Sequence, residues 1–269
     1  MLNDITFGQY FPANSVIHRM DARIKLVLLV VLIVAVFLCK NFVSLGIFAV
    51  FTVAVMLLSK IPIKLYLKNI KVIIPIIIFT AILNVFYIKS GVVLFEIWKI
   101  AIWSDGVIKA TFMAVRVLLL ILISSVLTYV TTPTDLTDGI ERLLKPLKII
   151  GLGEAVHTMS MMMTIALRFI PTLIEETDKI MSAQKARGAD LETGGIAKKV
   201  KALLPILIPL LISSVRRAYE LAEAMECRCY NGGKGRVRMK QLTLHLRDYL
   251  SLVICAIILA AIILCNILF

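Results

Sequence analysis

Residues 107–130 read VIKATFMAVRVLLLILISSVLTYV. Only Lys109 and Arg116 carry charge in that stretch. As one α-helix it reaches about 36 Å, more than the ~30 Å hydrocarbon thickness of a bilayer. A water-soluble core has no use for an apolar rod of that length, so the segment reads as a transmembrane helix. Four other apolar runs flank it, at Ile24–Cys39, Phe42–Leu58, Val72–Tyr87 and Leu250–Phe269. The first three of the five runs are short for a span, so their helices must extend past these limits or the flanking Lys and Arg must snorkel. Pro75 is expected to kink the third.

The composition agrees. Of 269 residues 60% are hydrophobic, above the roughly 45–50% of soluble domains. The net charge of +13 lies beside the apolar runs rather than in an aromatic-studded soluble patch, so it reads as a topology signal and not as a nucleic-acid surface. No cleavable leader is apparent, because 1–22 includes Asp4, His18, Arg19 and Asp21 and lacks an apolar core of sufficient length. The expected fold is all-α and polytopic, with about five transmembrane helices. Lys and Arg gather before the first run (Arg19, Arg23, Lys25) and between the second and third (Lys60, Lys64, Lys68, Lys71). The first-to-second connection offers only Lys40, and the third-to-fourth balances Lys89, Lys99 and Lys109 partly with Glu96 and Asp105. By the positive-inside rule the N-terminus and the stretch 131–248 are cytoplasmic and Phe269 ends outside. The expected organisation is a membrane part over 1–130, a cytoplasmic or membrane-surface segment of long helices over 131–248, and a last span over 249–269.

The middle segment is rich in both signs of charge. Thr134 or Asp135 is expected to cap a helix running to about Ile150, stopped by Gly151 and Gly153. A second helix runs from about Glu154 to Arg187, bent at Pro171, closed by Gly188 and followed by the loop 189–195. A third runs from near Ile196 to Tyr230, where Asn231, Gly232 and Gly233 stop it. Its apolar middle, Leu203–Val215, is too short for a good span and is interrupted by Pro205 and Pro209. Each long helix thus has an apolar beginning and a charged end. Glu175 with Lys179, and Arg216 with Glu220, are spaced for i,i+4 ion pairs.

Nothing in the sequence points to catalysis, a cofactor or a metal. His18, His157 and His245 are far apart, and no H-E-x-x-H, Walker lysine loop or G-x-S-x-G occurs. Cys227 and Cys229 would project about 200° apart on a helix, which disfavours zinc. Arg116 reads as a snorkelling residue near the outer end of its span, and Asn84 as an interhelical hydrogen-bond donor. What remains is a pair of arginines at matching helix C-termini, in 183–188 (AQKARG) and 224–230 (AMECRCY). Spacing supports two readings equally: a cation complementing a helix dipole, or a rigid guanidinium fork for an acidic groove of a partner.

The two ends, Ala186-Arg187-Gly188 and Cys227-Arg228-Cys229, resemble the signature of the transmembrane T component of energy-coupling factor (ECF) transporters. The stretch 18–26 (HRMDARIKL) is similar to the family's sequence before the first span, with Ala22 where proline is common. The second end departs from the pattern in having Cys227 and Cys229 where small residues are usual. The resemblance covers nearly the whole chain. It implies a non-catalytic membrane scaffold that binds two ABC-type ATPase subunits through these six residues. It also implies a small integral-membrane substrate-binding S component, held by the membrane-facing half of the coupling helices. Vitamins or transition-metal ions are the implied cargo. Met159, Met161, Met162 and Met163 cluster on the apolar half of the second helix, and methionine surfaces repack to suit several partners, although ordinary helix packing explains them as well. Pro205 and Pro209 are expected to contribute there as bends. Two other classes are a stand-alone secondary transporter or channel, and a membrane tether whose Lys198-Lys199-Lys201 cluster binds anionic lipid.

Overall fold

The computed structural model describes residues 10–88, 90, 93–97, 100–151, 153–189, 195–232 and 244–268. For 93–97, 100–102, 147, 148, 150 and 196–200 it describes the backbone alone. Lys89, Lys99, Gly233 and most of the loop 189–195 therefore lie outside the described residues, as do the side chains of Lys198 and Lys199. The chain forms two compact units, one of 8–139 with 242–269 and one of 140–241 with the first seven residues.

The first unit begins with α1 (Ala22–Leu38), α2 (Phe42–Ser59) and α3 (Ile63–Tyr87). A two-stranded antiparallel hairpin of β1 (Val93–Ile97) and β2 (Ile100–Trp103) follows, the one departure from an all-α reading among the described residues. Then comes α4 (Ser104–Val130), and α8 (Leu246–Leu268) completes the unit. The helix α3 starts nine residues before the apolar run that announced it, because Pro62 opens it and Tyr66 is buried against Tyr129 of α4. By length and composition α2, α3, α4, α8 and the stretch Lys201–Glu226 of α7 can cross a bilayer. The helix α1, at 17 residues or roughly 25 Å, lies at the lower limit of that length. The protein is a multi-pass membrane protein.

A core of Leu32, Ala35, Val36, Leu45, Phe48, Leu119, Ile123 and Ile262 joins α1, α2, α4 and α8. Polar contacts fasten its two ends. At one end Arg116 of α4 donates to the Cys39 carbonyl beyond α1 and stacks over Phe112, 4.7 Å from the ring centroid, so it is used inside the fold rather than snorkelling freely. Asn266 of α8 donates to the Leu38 carbonyl at 2.7 Å. At the other end Asp21 caps α1 by accepting from the Arg23 N–H at 2.9 Å and pairs with its guanidinium at 2.7 Å. Asp248, 1% exposed, accepts from the Asp21 N–H at 3.0 Å and the His245 N–H at 2.9 Å. One carboxylate thereby ties the start of α8 to the start of α1. Lys25 donates to the His18 and Val130 carbonyls at 3.0 and 3.3 Å, bringing in the end of α4.

The starts of α1 and α8 and the end of α4 thus share one side of the unit. Tyr129 adds the start of α3 through the Leu65 carbonyl at 3.1 Å. Near this end His18 bridges the Phe11 carbonyl and the Ser15 hydroxyl at 2.9 and 2.7 Å. Burial chiefly holds its imidazole below the usual pKa, opposed by the bond to Phe11 and helped by the nearby Lys25 charge. The neutral ring fits these partners, donating from Nε2 and accepting at Nδ1. Asn84 turns out to bond within its own helix, to the Thr80 carbonyl at 2.8 Å. Besides Asn266, the amide that reaches another helix is Asn69, 3.2 Å from Ser125.

The second unit follows α5 (Pro133–Leu144), inside which the division between the units falls. Its cap is Thr132 rather than Thr134 or Asp135. The Thr132 hydroxyl accepts from the Asp135 N–H at 3.1 Å, and Pro133 takes the first helical position, where its missing N–H costs nothing. Pro146 falls within the following 3₁₀ turn, Lys145–Ile150, so the α-helix stops short of Ile150. Two long helices follow, α6 (Gly153–Ala186) and α7 (Ile196–Glu226). Both continue through their internal prolines, Pro171 in α6 and Pro205 and Pro209 in α7.

Candidate functional site

Three polar contacts fix how α6 and α7 lie together. The Tyr230 hydroxyl donates to Met161 Sδ at 2.9 Å, Arg217 pairs with Glu176 at 2.7 Å, and the Gln184 amide donates to the Pro205 carbonyl at 3.4 Å. Ser213 also bonds Glu176. As the residue number rises along α6 it falls along α7, so the pair is antiparallel. Arg187 therefore lies at one end of the pair and Arg228 at the other. Their separation follows from the stretch Pro205 to Arg228, roughly 35 Å at 1.5 Å per residue.

The two ends are built alike, bond for bond. After α6 the Gly188 N–H donates to the Lys185 carbonyl and the Ala189 N–H to the Gln184 carbonyl, both at 3.0 Å. After α7 the Cys229 N–H donates to the Glu226 carbonyl at 2.8 Å and the Tyr230 N–H to the Met225 carbonyl at 3.0 Å. Both are Schellman caps, in which a left-handed residue reverses the chain and satisfies the last carbonyls. Gly188 has φ +86° and Cys229 has φ +55°. Arg187 and Arg228 occupy the same position, one residue before the left-handed one. Cys229 is thus not helical, and the expectation of diverging thiols on one helix face does not apply to it. Among the described residues no group of three or more potential ligands could hold a metal ion.

Both arginines are exposed, and among the described residues neither guanidinium meets a side-chain partner. A Schellman cap fixes the Cα and Cβ of each, leaving a donor fork on a rigid stem beside the negative end of a helix dipole. The dipole and the docking readings therefore coexist. The spaced pairs Glu175–Lys179 and Arg216–Glu220 form no ion pair; their neighbours Glu176 and Arg217 do, between helices, because those positions face the partner helix. That pair was missed in the sequence because it spans two elements rather than one turn.

The methionine cluster divides. Met159, Met162 and Met163 are exposed, the first at 64%, whereas Met161 is turned to Tyr230. Pro205 and Pro209 are exposed as well, among Leu203, Leu204, Leu207 and Ile208. In the antiparallel pair the apolar start of each helix lies beside the arginine end of the other: Met161 by Tyr230, and Pro205 by Gln184. The prolines explain the second contact. Pro209 has no N–H to offer the Pro205 carbonyl four residues earlier, and the Gln184 amide supplies the missing donor.

The class defined by these features is a multi-pass membrane protein carrying an antiparallel pair of long helices, each ended by an exposed, identically capped arginine. The chain belongs to the CbiQ family, described as cobalt transport protein, whose pattern matches residues 13–239. Curated relatives are named energy-coupling factor transporter transmembrane protein EcfT. The one from Clostridium kluyveri is 49% identical over 97% of this chain and 96% of its own length. That from Acidaminococcus fermentans is 50% identical over 93% and 92%, and that from Bacillus subtilis 41% over 97% of each. The match includes both arginine ends and the stretch 18–26.

Proposed function

We propose that this chain is the energy-coupling scaffold of an ECF-type importer, taking up a vitamin or a transition-metal ion. Arg187 and Arg228, each with its flanking pair Ala186 and Gly188 or Cys227 and Cys229, dock into acidic grooves of two cytoplasmic ABC-type ATPase subunits. The observation that carries this reading is the repetition of one arginine-bearing cap at both ends of an antiparallel helix pair. Two ATPase subunits related by a two-fold present two equivalent grooves, and an antiparallel pair with equivalent ends is the complementary shape. A single arginine, or two at one end, would not match such a dimer.

On this reading ATP hydrolysis occurs in the partners, and this chain transmits the movement. Closure of the ATPase pair pulls on two points roughly 35 Å apart. Because each arginine end lies beside the other helix's apolar start, displacement at either point shifts an apolar surface. Met159, Met162 and Met163 on α6, with Pro205 and Pro209 on α7, form the surface for the S component, while Met161 positions the α7 end through Tyr230. Tilting of the S component then releases its cargo inside. On this reading α7 lies along the cytoplasmic face rather than across the bilayer, so that Arg187 and Arg228 share one side with the N-terminus, and the C-terminus lies outside. Arg19, Arg23, Lys25, Lys60 and Lys64 all lie near the end of the membrane unit where α1, α3 and α8 begin, as the positive-inside rule requires of a cytoplasmic face.

The test is replacement of both arginines, Arg187→Ala with Arg228→Ala, in the chain expressed with the ATPase and S-component genes of its host. ATPase co-purification and uptake are expected to be lost while membrane insertion persists. Removing one partner of such a desolvated charge pair costs on the order of 2–5 kcal/mol. Undiminished uptake by the double variant, or uptake in cells devoid of ABC ATPases, refutes the assignment.

A further inference from the structure

A crevice of about 320 Å³ opens within the membrane unit, in the range of ligand sites. Each of four helices gives it one stripe: 25, 28, 29 and 32 from α1, 51, 55 and 58 from α2, 123, 126, 127 and 130 from α4, and 247, 250, 251, 254 and 255 from α8. The wall is apolar except at one end, where Lys25, Arg247 and Ser251 stand. Several rim residues, Val16, Leu58, Leu250 and Ile254 among them, are themselves exposed and face the surroundings of the unit. A slot of this kind between transmembrane helices excludes a water-soluble ligand, because it offers no hydrogen bonds along its length.

The charged end decides which lipid fits. Lys25 is buried, and its ammonium uses two of three N–H groups on the His18 and Val130 carbonyls. Arg247 is exposed and has no side-chain partner among the described residues. The carboxylates nearby are engaged elsewhere: Asp21 with Arg23, Asp248 with two backbone N–H groups, and Asp135 with Thr132. Arg247 therefore remains at the mouth as an exposed cation without a side-chain partner among the described residues. It also lies at the end of the unit where Arg19, Lys60 and Lys64 gather, the end a membrane presents with anionic headgroups.

We propose that this crevice binds one anionic phospholipid, with an acyl chain in the slot between α1, α2, α4 and α8 and the phosphate on Arg247, backed by the Lys25 ammonium. The four helices then close around a lipid chain instead of an empty cleft, and the site is independent of the arginine ends of α6 and α7.

The test is native mass spectrometry of the full-length chain in detergent, supplied with equal amounts of phosphatidylglycerol and phosphatidylcholine. Phosphatidylglycerol is expected to be retained preferentially. Arg247→Gln is expected to reduce that retention about fivefold, as for one cation at an anionic headgroup, while Arg247→Lys keeps most of it. Arg216→Gln removes the same charge from α7 and is expected to change nothing. Ser251→Trp fills the slot and is expected to exclude both lipids. Equal retention of the two lipids, or equal losses in Arg247→Gln and Arg216→Gln, overturns the proposal. If Ser251→Trp does not fold, the Gln and Lys pair at 247 still decides it.

Discussion

Two groups of basic residues in this chain have opposite fates. At the ends of the membrane unit Arg23 pairs with Asp21, Lys25 donates to two backbone carbonyls, and Arg116 reaches the Cys39 carbonyl and the Phe112 ring. Lys25 and Arg116 join elements that are distant in the chain, and Arg23 fixes the carboxylate that caps its own helix. At the ends of α6 and α7 the reverse holds. Arg187 and Arg228 sit on well-defined caps, yet no side chain among the described residues takes up their charge. A charge used by the fold is architecture, and its loss is felt as stability. One held rigidly but unused contributes little to folding and is available to a partner.

The largest expected effect sets the two groups apart. Asp248→Ala strands the buried Asp21 N–H and removes the acceptor of the part-buried His245 N–H. Two charge-assisted bonds at about 1.5–3 kcal/mol each make the loss about 3–6 kcal/mol. The double arginine variant, by contrast, is expected to change stability by less than about 1 kcal/mol, since both side chains are exposed surface. Thermal unfolding of the two variants in one detergent makes the comparison. Similar losses of melting temperature would erase the distinction between structural and available charge.

A second experiment turns on the single difference between the two caps. Gly188 and Cys229 hold the same left-handed position, and nothing lies within 4 Å of where a Gly188 side chain would begin. A substitution there meets no clash, so its cost is conformational only. Gly188→Ala takes on left-handed strain of about 1–2 kcal/mol but regains about 0.5–1 from the stiffer unfolded chain, a net loss of roughly half a kcal/mol or more at the α6 cap. Cys229→Gly relieves the same strain but loses about 0.5–1 kcal/mol to the greater freedom of unfolded glycine, leaving a net gain of roughly half a kcal/mol or more. Amide exchange at 185–189 should quicken in the first variant, and that at 226–230 should slow in the second. Changes of the same sign at both ends would mean that the caps are not equivalent.

What was legible in the sequence is what one element states by itself. Apolar runs located α1 to α4 and α8, and the glycine after Arg187 marked the end of α6 to within a residue. The equivalence of the second end was visible as a pattern, but not its cause, because cysteine gives no hint of a left-handed backbone. Contacts between distant elements had no local signal at all. Asp248 sits two residues into a helix that starts four residues before its apolar run, and nothing about it announces Asp21, 227 positions earlier. The hairpin at 93–103 lay in a stretch read as a mere connection, since its strands are only five and four residues long. Asn84 bonds within its own turn, to the Thr80 carbonyl four residues earlier, and composition cannot settle that competition with a neighbouring helix. The antiparallel order of α6 and α7, on which the proposed function depends, also required the fold, because length and charge describe each helix but not its direction against the other.

The smallest expected effect probes how an arginine end is joined to the other helix's apolar half. Gln184 serves twice: its backbone carbonyl takes the Ala189 N–H that closes the α6 cap, and its side chain fills the gap Pro209 leaves at the Pro205 carbonyl. Gln184→Leu removes that donor and should cost about 0.5–1.5 kcal/mol, with uptake falling more than ATPase capture because Arg187 itself is untouched. Pro209→Ala restores an N–H four residues after Pro205, so the helix can satisfy its own carbonyl. In that background Gln184→Leu should cost little, and the cycle of two single variants and the double should show a coupling of about 0.5 kcal/mol or more. Additive effects would mean that Gln184 and the proline gap act separately. The mechanical link between Arg187 and the apolar start of α7 would then have to run through the Arg217–Glu176 pair farther along the helices.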